Sequence, residues 1–155
     1  MPAFFGDFRE VVPEQVCHEA AGLHVEVLRR LRLIEASLPE PALPEPKMWV
    51  NSGKHEGPIG ESMHAQGLAV DLVICGMNSA ETAKRLREAG FTCSIAYYDK
   101  DQQPCHMAHG DLRGTKWAEG AYALGGKKAE TCPRRAFSKT VGCGNQSKDQ
   151  WKYQR

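Results

Sequence analysis

What the chain lacks narrows its class before any motif is considered. No apolar run approaches the roughly 18 residues that a membrane span needs, so no transmembrane segment is expected. The opening Met1-Pro2-Ala3-Phe4-Phe5-Gly6-Asp7 has neither the basic start nor the apolar stretch of a secretory signal, and synthesis in the cytoplasm is expected. There is no Cys-x-x-Cys pair, which excludes a zinc ribbon. The six cysteines (Cys17, Cys75, Cys93, Cys105, Cys132, Cys143) are expected to be reduced and buried, with a Cys132–Cys143 loop closure as the alternative. Net charge is only +1, and no nucleic-acid partner is expected.

What is present fits one globular domain. At 155 residues, with 41% hydrophobic and 25% charged residues, the chain can bury a proper core but not two comfortable ones. Charge is unevenly spread. From Leu124 to Arg155, eight Lys and Arg stand against Glu130 and Asp149, a net of +6, so the rest of the chain carries −5. The expected organisation is a domain over 1–123 and a basic extension over 124–155. The extension reads as a solvated terminus, with binding to anionic cell-wall polymers, lipid head groups or nucleic acid as the functional alternative.

Apolar periodicity supplies the elements. Val16, Ala20, Leu23, Val27, Leu31 and Ile34 recur at three- and four-residue steps and predict an amphipathic helix ending before the prolines at 39, 41, 44 and 46. A strand is expected over Lys47 to Asn51. Asn78 or Ser79 should cap a second helix that runs to Ala89 and stops at Gly90. The runs Leu68 to Ile74 and Cys93 to Tyr98 read as strands, and a further strand should cover Cys105 to Leu112. Helices and strands do not alternate regularly, so the expected class is α+β: a small, mainly antiparallel sheet with helices on one face.

Two segments carry the chemistry. In Ser62-Met63-His64-Ala65-Gln66-Gly67-Leu68-Ala69-Val70-Asp71, a histidine precedes a glycine turn and an aspartate lies within an apolar strand. Such a carboxylate pays a desolvation cost that a bound cation relieves. His106-Met107-Ala108-His109-Gly110-Asp111-Leu112-Arg113 supplies two more histidines. Two imidazoles and one carboxylate suit zinc and leave a fourth position open, as catalytic sites require. The bland alternative is a buried Asp71–Arg113 salt bridge with the histidines at the surface.

Ser62 to Asp71 fits the pattern S-x-H-x-x-G-x-A-x-D and resembles the signature of the zinc D-alanyl-D-alanine peptidase family. That family includes phage L-alanyl-D-glutamate endolysins and is similar in fold to the Hedgehog signalling domain. His109-Gly110-Asp111-Leu112-Arg113-Gly114-Thr115-Lys116-Trp117 resembles its closing segment, and Asn51-Ser52-Gly53-Lys54-His55 its substrate loop. The resemblance covers about Phe4 to Trp117. It implies a Hedgehog/DD-peptidase-like fold, a zinc ion on His64, Asp71 and His109, and hydrolysis of peptidoglycan stem peptides at the cell wall or in the periplasm, phage or prophage context included.

Two positions depart from the family pattern. His55, with Lys54 beside it, stands where an arginine commonly stabilises the oxyanion, and His106 stands where Glu or Asp commonly serves as base. A histidine can take the proton, since its ordinary pKa near 6.5 suits neutral pH. His106 is therefore the expected base, with Asp111 and Glu61 as alternatives and Asp99 or Asp101 within reach of a loop. A chain that kept the ligands and lost the base would instead be a zinc-stabilised wall-binding or phage-tail module.

Overall fold

The structure is a computed structural model that describes residues 22–39, 48–54, 56–57, 62–74, 76–99, 101–125 and 135–137. Helix α1 (Val25–Ser37) begins nine residues after Val16, where the apolar periodicity starts. Gly22 adopts φ +79°, outside helical space, and His24 is an extended N-cap whose Nδ1 accepts the Glu26 N–H at 3.0 Å. Val27, Leu31 and Ile34 then face the core, as their spacing requires. Residues before 22 lie outside the described set.

Strands β1 (Met48–Ser52), β2 (Ala69–Ile74), β3 (Cys93–Tyr98) and β4 (Pro104–Asp111) form on the predicted apolar runs, each within a residue of its expected bounds. Helix α2 (Ser79–Glu88) takes Asn78 as N-cap, its side chain accepting the Glu81 N–H, and Gly90 follows at φ +101°. The class is α+β. Sheet order is β1-β2-β4-β3-β5, antiparallel except for the last pair. Helix α2 lies on β4, β3 and β2, and α1 packs beside it, joined by Arg30 Nε donating to the Gly90 carbonyl at 3.1 Å.

Fully buried Leu31, Leu72, Ile74 and Leu86 anchor the core, each contributing about 1.5–3 kcal/mol by burial. The close fit of α2 on the sheet depends on Gly110, because a Cβ there would come within 2.9 Å of Leu86. No helix among the described residues is long and apolar enough to cross a membrane.

Within the basic stretch, β5 (Arg135–Phe137) pairs parallel to β3. One expectation needs correction: not all the cysteines are reduced, because Cys93 and Cys105 are both disulfide-bonded. Cys93 sits opposite Asp111, whereas Cys105 adjoins the Tyr98–Pro104 pair at the other end of the ladder. Five residues of strand separate those ends, about 16 Å at the usual rise, far beyond the reach of one disulfide. The two therefore belong to different bridges. Cys17, Cys75, Cys132 and Cys143, and with them the Cys132–Cys143 closure, lie outside the described residues.

Candidate metal site

The turn that carries His64 is built by the motif itself. Ser62 Oγ accepts the His64 N–H at 3.0 Å, and the Gly67 N–H returns to the His64 carbonyl at 3.0 Å. Gly67 adopts φ +71° and packs so tightly that a Cβ would stand 2.7 Å from the Gly22 carbonyl oxygen. Its own carbonyl accepts the His24 N–H, which ties the turn to the start of α1. Strand β2 then leaves the turn and delivers Asp71.

Asp71 and His109 are direct partners across the β2–β4 ladder. Opposed residues of an antiparallel pair point to the same face, so the ladder itself brings the carboxylate and the imidazole together. His109 Nδ1 lies 3.3 Å from Asp71 Oδ1, and His64 Nε2 lies 3.6 Å from Asp71 Oδ2. One ligand atom from each of His64, Asp71 and His109 falls within 4.8 Å of the others, a group that can hold a metal ion. It is the only such group of three among the described residues.

Both histidines are held from behind. His64 Nδ1 donates to the Gly53 carbonyl at 2.8 Å, which leaves Nε2 with its lone pair on the Asp71 side. His109 Nε2 donates to Asp111 Oδ2 at 2.7 Å, which leaves Nδ1 toward Asp71. Burial, then the charge of and hydrogen bonding to nearby Asp71, push the Tyr97 phenol above the ordinary range, so it stays protonated beside that carboxylate. The donor set therefore fits a metal in composition and spacing, with His109 Nδ1 the nitrogen a metal would meet once it gives up the proton it shares with Asp71.

Charges around His109 oppose its burial. Desolvation favours the neutral ring, but hydrogen bonds to Asp111 and Asp71, and the charges of both, raise its pKa to about 9. Asp111 is itself fully buried, and burial works against its charge. Hydrogen bonds from His109 and Arg113 prevail and hold it below the usual carboxylate range.

The other sequence-predicted residues take separate places. In place of the alternative Asp71–Arg113 salt bridge, Arg113 pairs with Asp111, its Nε 2.9 Å from Oδ1 and 3.0 Å from Oδ2. Asp111 is thus committed to His109 and Arg113. His106 does not join the triad: it hydrogen-bonds the Met77 backbone in the turn between β2 and α2, and burial lowers its pKa. Pairing of β4 with β2 runs unbroken from Asp111 to Met107, so alternation is kept down to the residue beside His106. A register shift does occur against β3, between Ala96 and Tyr98. Lys54 is exposed, one residue beyond the carbonyl that holds His64. Asp99 Oδ1 accepts from the Asp101 and Gln103 N–H groups and shapes the β3–β4 turn. His55 and Glu61 lie outside the described residues.

Sequence reading missed Tyr97 and the role of the Gly53 carbonyl. Tyr97 carried one usable signal, a hydroxyl-bearing aromatic two residues beyond Ile95, the β3 partner of His109. No family model, curated protein or solved structure matches the chain.

Proposed function

We propose that the chain is a zinc-dependent peptidase acting on peptidoglycan stem peptides, as a D-Ala-D-Ala carboxypeptidase or an endolysin-like endopeptidase. The observation that carries this reading is the convergence of His64, Asp71 and His109, with both histidines backed by their own hydrogen-bond partners. Zinc suits two imidazoles and one carboxylate, a set that keeps a position open for chemistry. The fit of Ser62 to Asp71 to the zinc D-alanyl-D-alanine peptidase signature supplies the substrate class. Disulfides at Cys93 and Cys105 suit work outside the reducing cytosol, at the cell wall or in the periplasm.

When bound, zinc supplies polarisation of the scissile carbonyl and acidification of a water molecule. His64 and His109 contribute lone pairs, and Asp71 contributes negative charge beside the protonated Tyr97 phenol. Lys54, with His55 beside it, is the cation assigned to charge developing on the carbonyl oxygen. In the hydrolysis, water oxygen attacks the carbonyl carbon, a base takes the water proton, and the C–N bond breaks with that proton delivered to the leaving amine.

A second reading is favoured by one observation. Asp111 is spent on His109 and Arg113, and the His106 ring bonds the Met77 backbone. A metal-stabilised wall-binding or phage-tail module would tolerate both. Digestion of purified muropeptides, with and without chelator and read by mass spectrometry, separates the two. New fragments that vanish on chelation support the peptidase and identify the bond; metal-loaded protein that yields none supports the module.

A further inference from the structure

The lower edge of the metal site contains a charge pair that no ligand role accounts for. Asp111 has no exposed surface, and its carboxylate accepts from His109 Nε2 at 2.7 Å. Arg113 grips the same carboxylate through its backbone N–H at 3.0 Å and its guanidinium at Nε and the second terminal nitrogen. The Arg113 guanidinium in turn lies 5.5 Å from the centre of the Tyr122 ring, and Tyr122 is buried. A buried carboxylate with this many donors has essentially one orientation, and that orientation is passed to the imidazole.

We propose that Asp111 and Arg113 are positioning residues for the metal: through the Nε2–H of His109 they fix which ring nitrogen faces Asp71. The inference rests on the reading that the triad binds a metal. Strand geometry explains why this pair can act. Residues two apart on a strand share a face, so His109 and Asp111 lie side by side, and Arg113 follows at the strand end where its side chain can fold back. An imidazole offered with the other tautomer would turn an N–H toward the ion and lose the ligand. Arg113 adds what Asp111 alone lacks, a planar fork that offsets the cost of keeping the carboxylate charged in the interior.

The test uses the full chain and Zn²⁺ alone as probe. Affinity is measured by chelator competition for the wild type, Asp111→Asn and Arg113→Lys, with far-UV circular dichroism of the metal-free proteins as a check on folding. Asp111→Asn should weaken zinc binding about 10–100-fold, the usual range for losing an outer partner of a ligand. Arg113→Lys keeps the charge but not the fork, and should weaken it less. Folded variants that bind zinc as tightly as the wild type would overturn the proposal. Should the variants not fold, long-range ¹H–¹⁵N spectra of the zinc-loaded wild type decide. His109 protonated at Nε2 with a metal-shifted Nδ1 supports the pair, and the opposite assignment overturns it. Wild-type protein that binds no zinc overturns the metal reading itself, and this proposal with it.

Discussion

His64 donates its Nδ1 hydrogen to the carbonyl of Gly53 at 2.8 Å, so the loop after β1 decides which nitrogen of a motif histidine is left for a metal. A carbonyl only accepts, and the bond therefore fixes the tautomer with Nε2 toward Asp71. The short segment Ser52-Gly53-Lys54 thus joins the site through its backbone as well as through any side-chain cation.

Purified, unchelated protein should carry close to one zinc per chain, by elemental analysis. Metal that binds only the native state raises the melting temperature, so calorimetric scans before and after chelation should separate. Asp71→Ala should bring the two scans together. Coincident scans for the wild type would mean that the triad holds no metal that matters to the fold.

Metal affinity should rise with pH up to about 9. His109 reaches that pKa through Asp111 and Asp71, so below it the ring carries a proton that the ion must displace. Metal-free protein should show the opposite sign. A folded-state pKa raised above the ordinary 6.5 gives stability that is complete below 6.5 and lost as pH climbs toward 9. Urea midpoints of the chelated protein across that window read this directly, and a midpoint that rises with pH there would contradict the assignment.

His106→Ala should retain zinc, because the ring bonds the Met77 backbone and lies outside the triad. Muropeptide turnover should fall by less than roughly tenfold. A drop of 100-fold or more with zinc retained, the scale of a lost general base, would restore His106 to the proton-transfer role that its sequence position suggested.

Gly67→Ala should destabilise the protein by more than about 1 kcal/mol, since a left-handed conformation alone costs an L-residue about that much. The added Cβ also meets the Gly22 carbonyl oxygen at 2.7 Å, a backbone atom that cannot step aside cheaply. Chemical denaturation measures the loss. An unchanged midpoint would show that the turn relaxes freely.

Peptide mapping without reductant should find Cys93 and Cys105 linked to two different cysteines among Cys17, Cys75, Cys132 and Cys143. A direct Cys93–Cys105 link is incompatible with the β3–β4 register and would require that register to be redrawn.

The strands were legible because Val70, Leu72, Val73 and Ile74 form an apolar run too short for a helix, with glycine, proline or polar residues marking such ends elsewhere. The triad was legible through the resemblance of its two segments to a family signature, which chose His109 over His106; the hydroxyl at Ser62 and the left-handed Gly67 that its turn needs are visible as residue types. Helix α1 was overextended because the apolar spacing continues through Leu23, while its real N-cap is a histidine, an uncommon capping residue. What the three ligands lean on was harder to read. The Gly53 carbonyl leaves no mark in residue type, and the Tyr97 contact depends on how β3 registers against β4. Asp111 was visible as an acid near His109; that it sits beside His109 follows from two-residue strand periodicity, but its capture by Arg113 does not.

Asp71 and His109 occupy one rung of the β2–β4 ladder, 38 residues apart in sequence, and this makes the site a gauge of strand alignment. Slippage of β4 by a single residue would turn His109 to the opposite face and separate it from the carboxylate altogether. One extra residue in the exposed Asp101–Gln103 turn can be absorbed as loop, leaving the rung intact. The same insertion between Met107 and His109 cannot. Metal uptake during refolding, read by a chelator-competition signal, should therefore mark the moment when two distant strands have found their correct alignment, whatever the rest of the chain is doing.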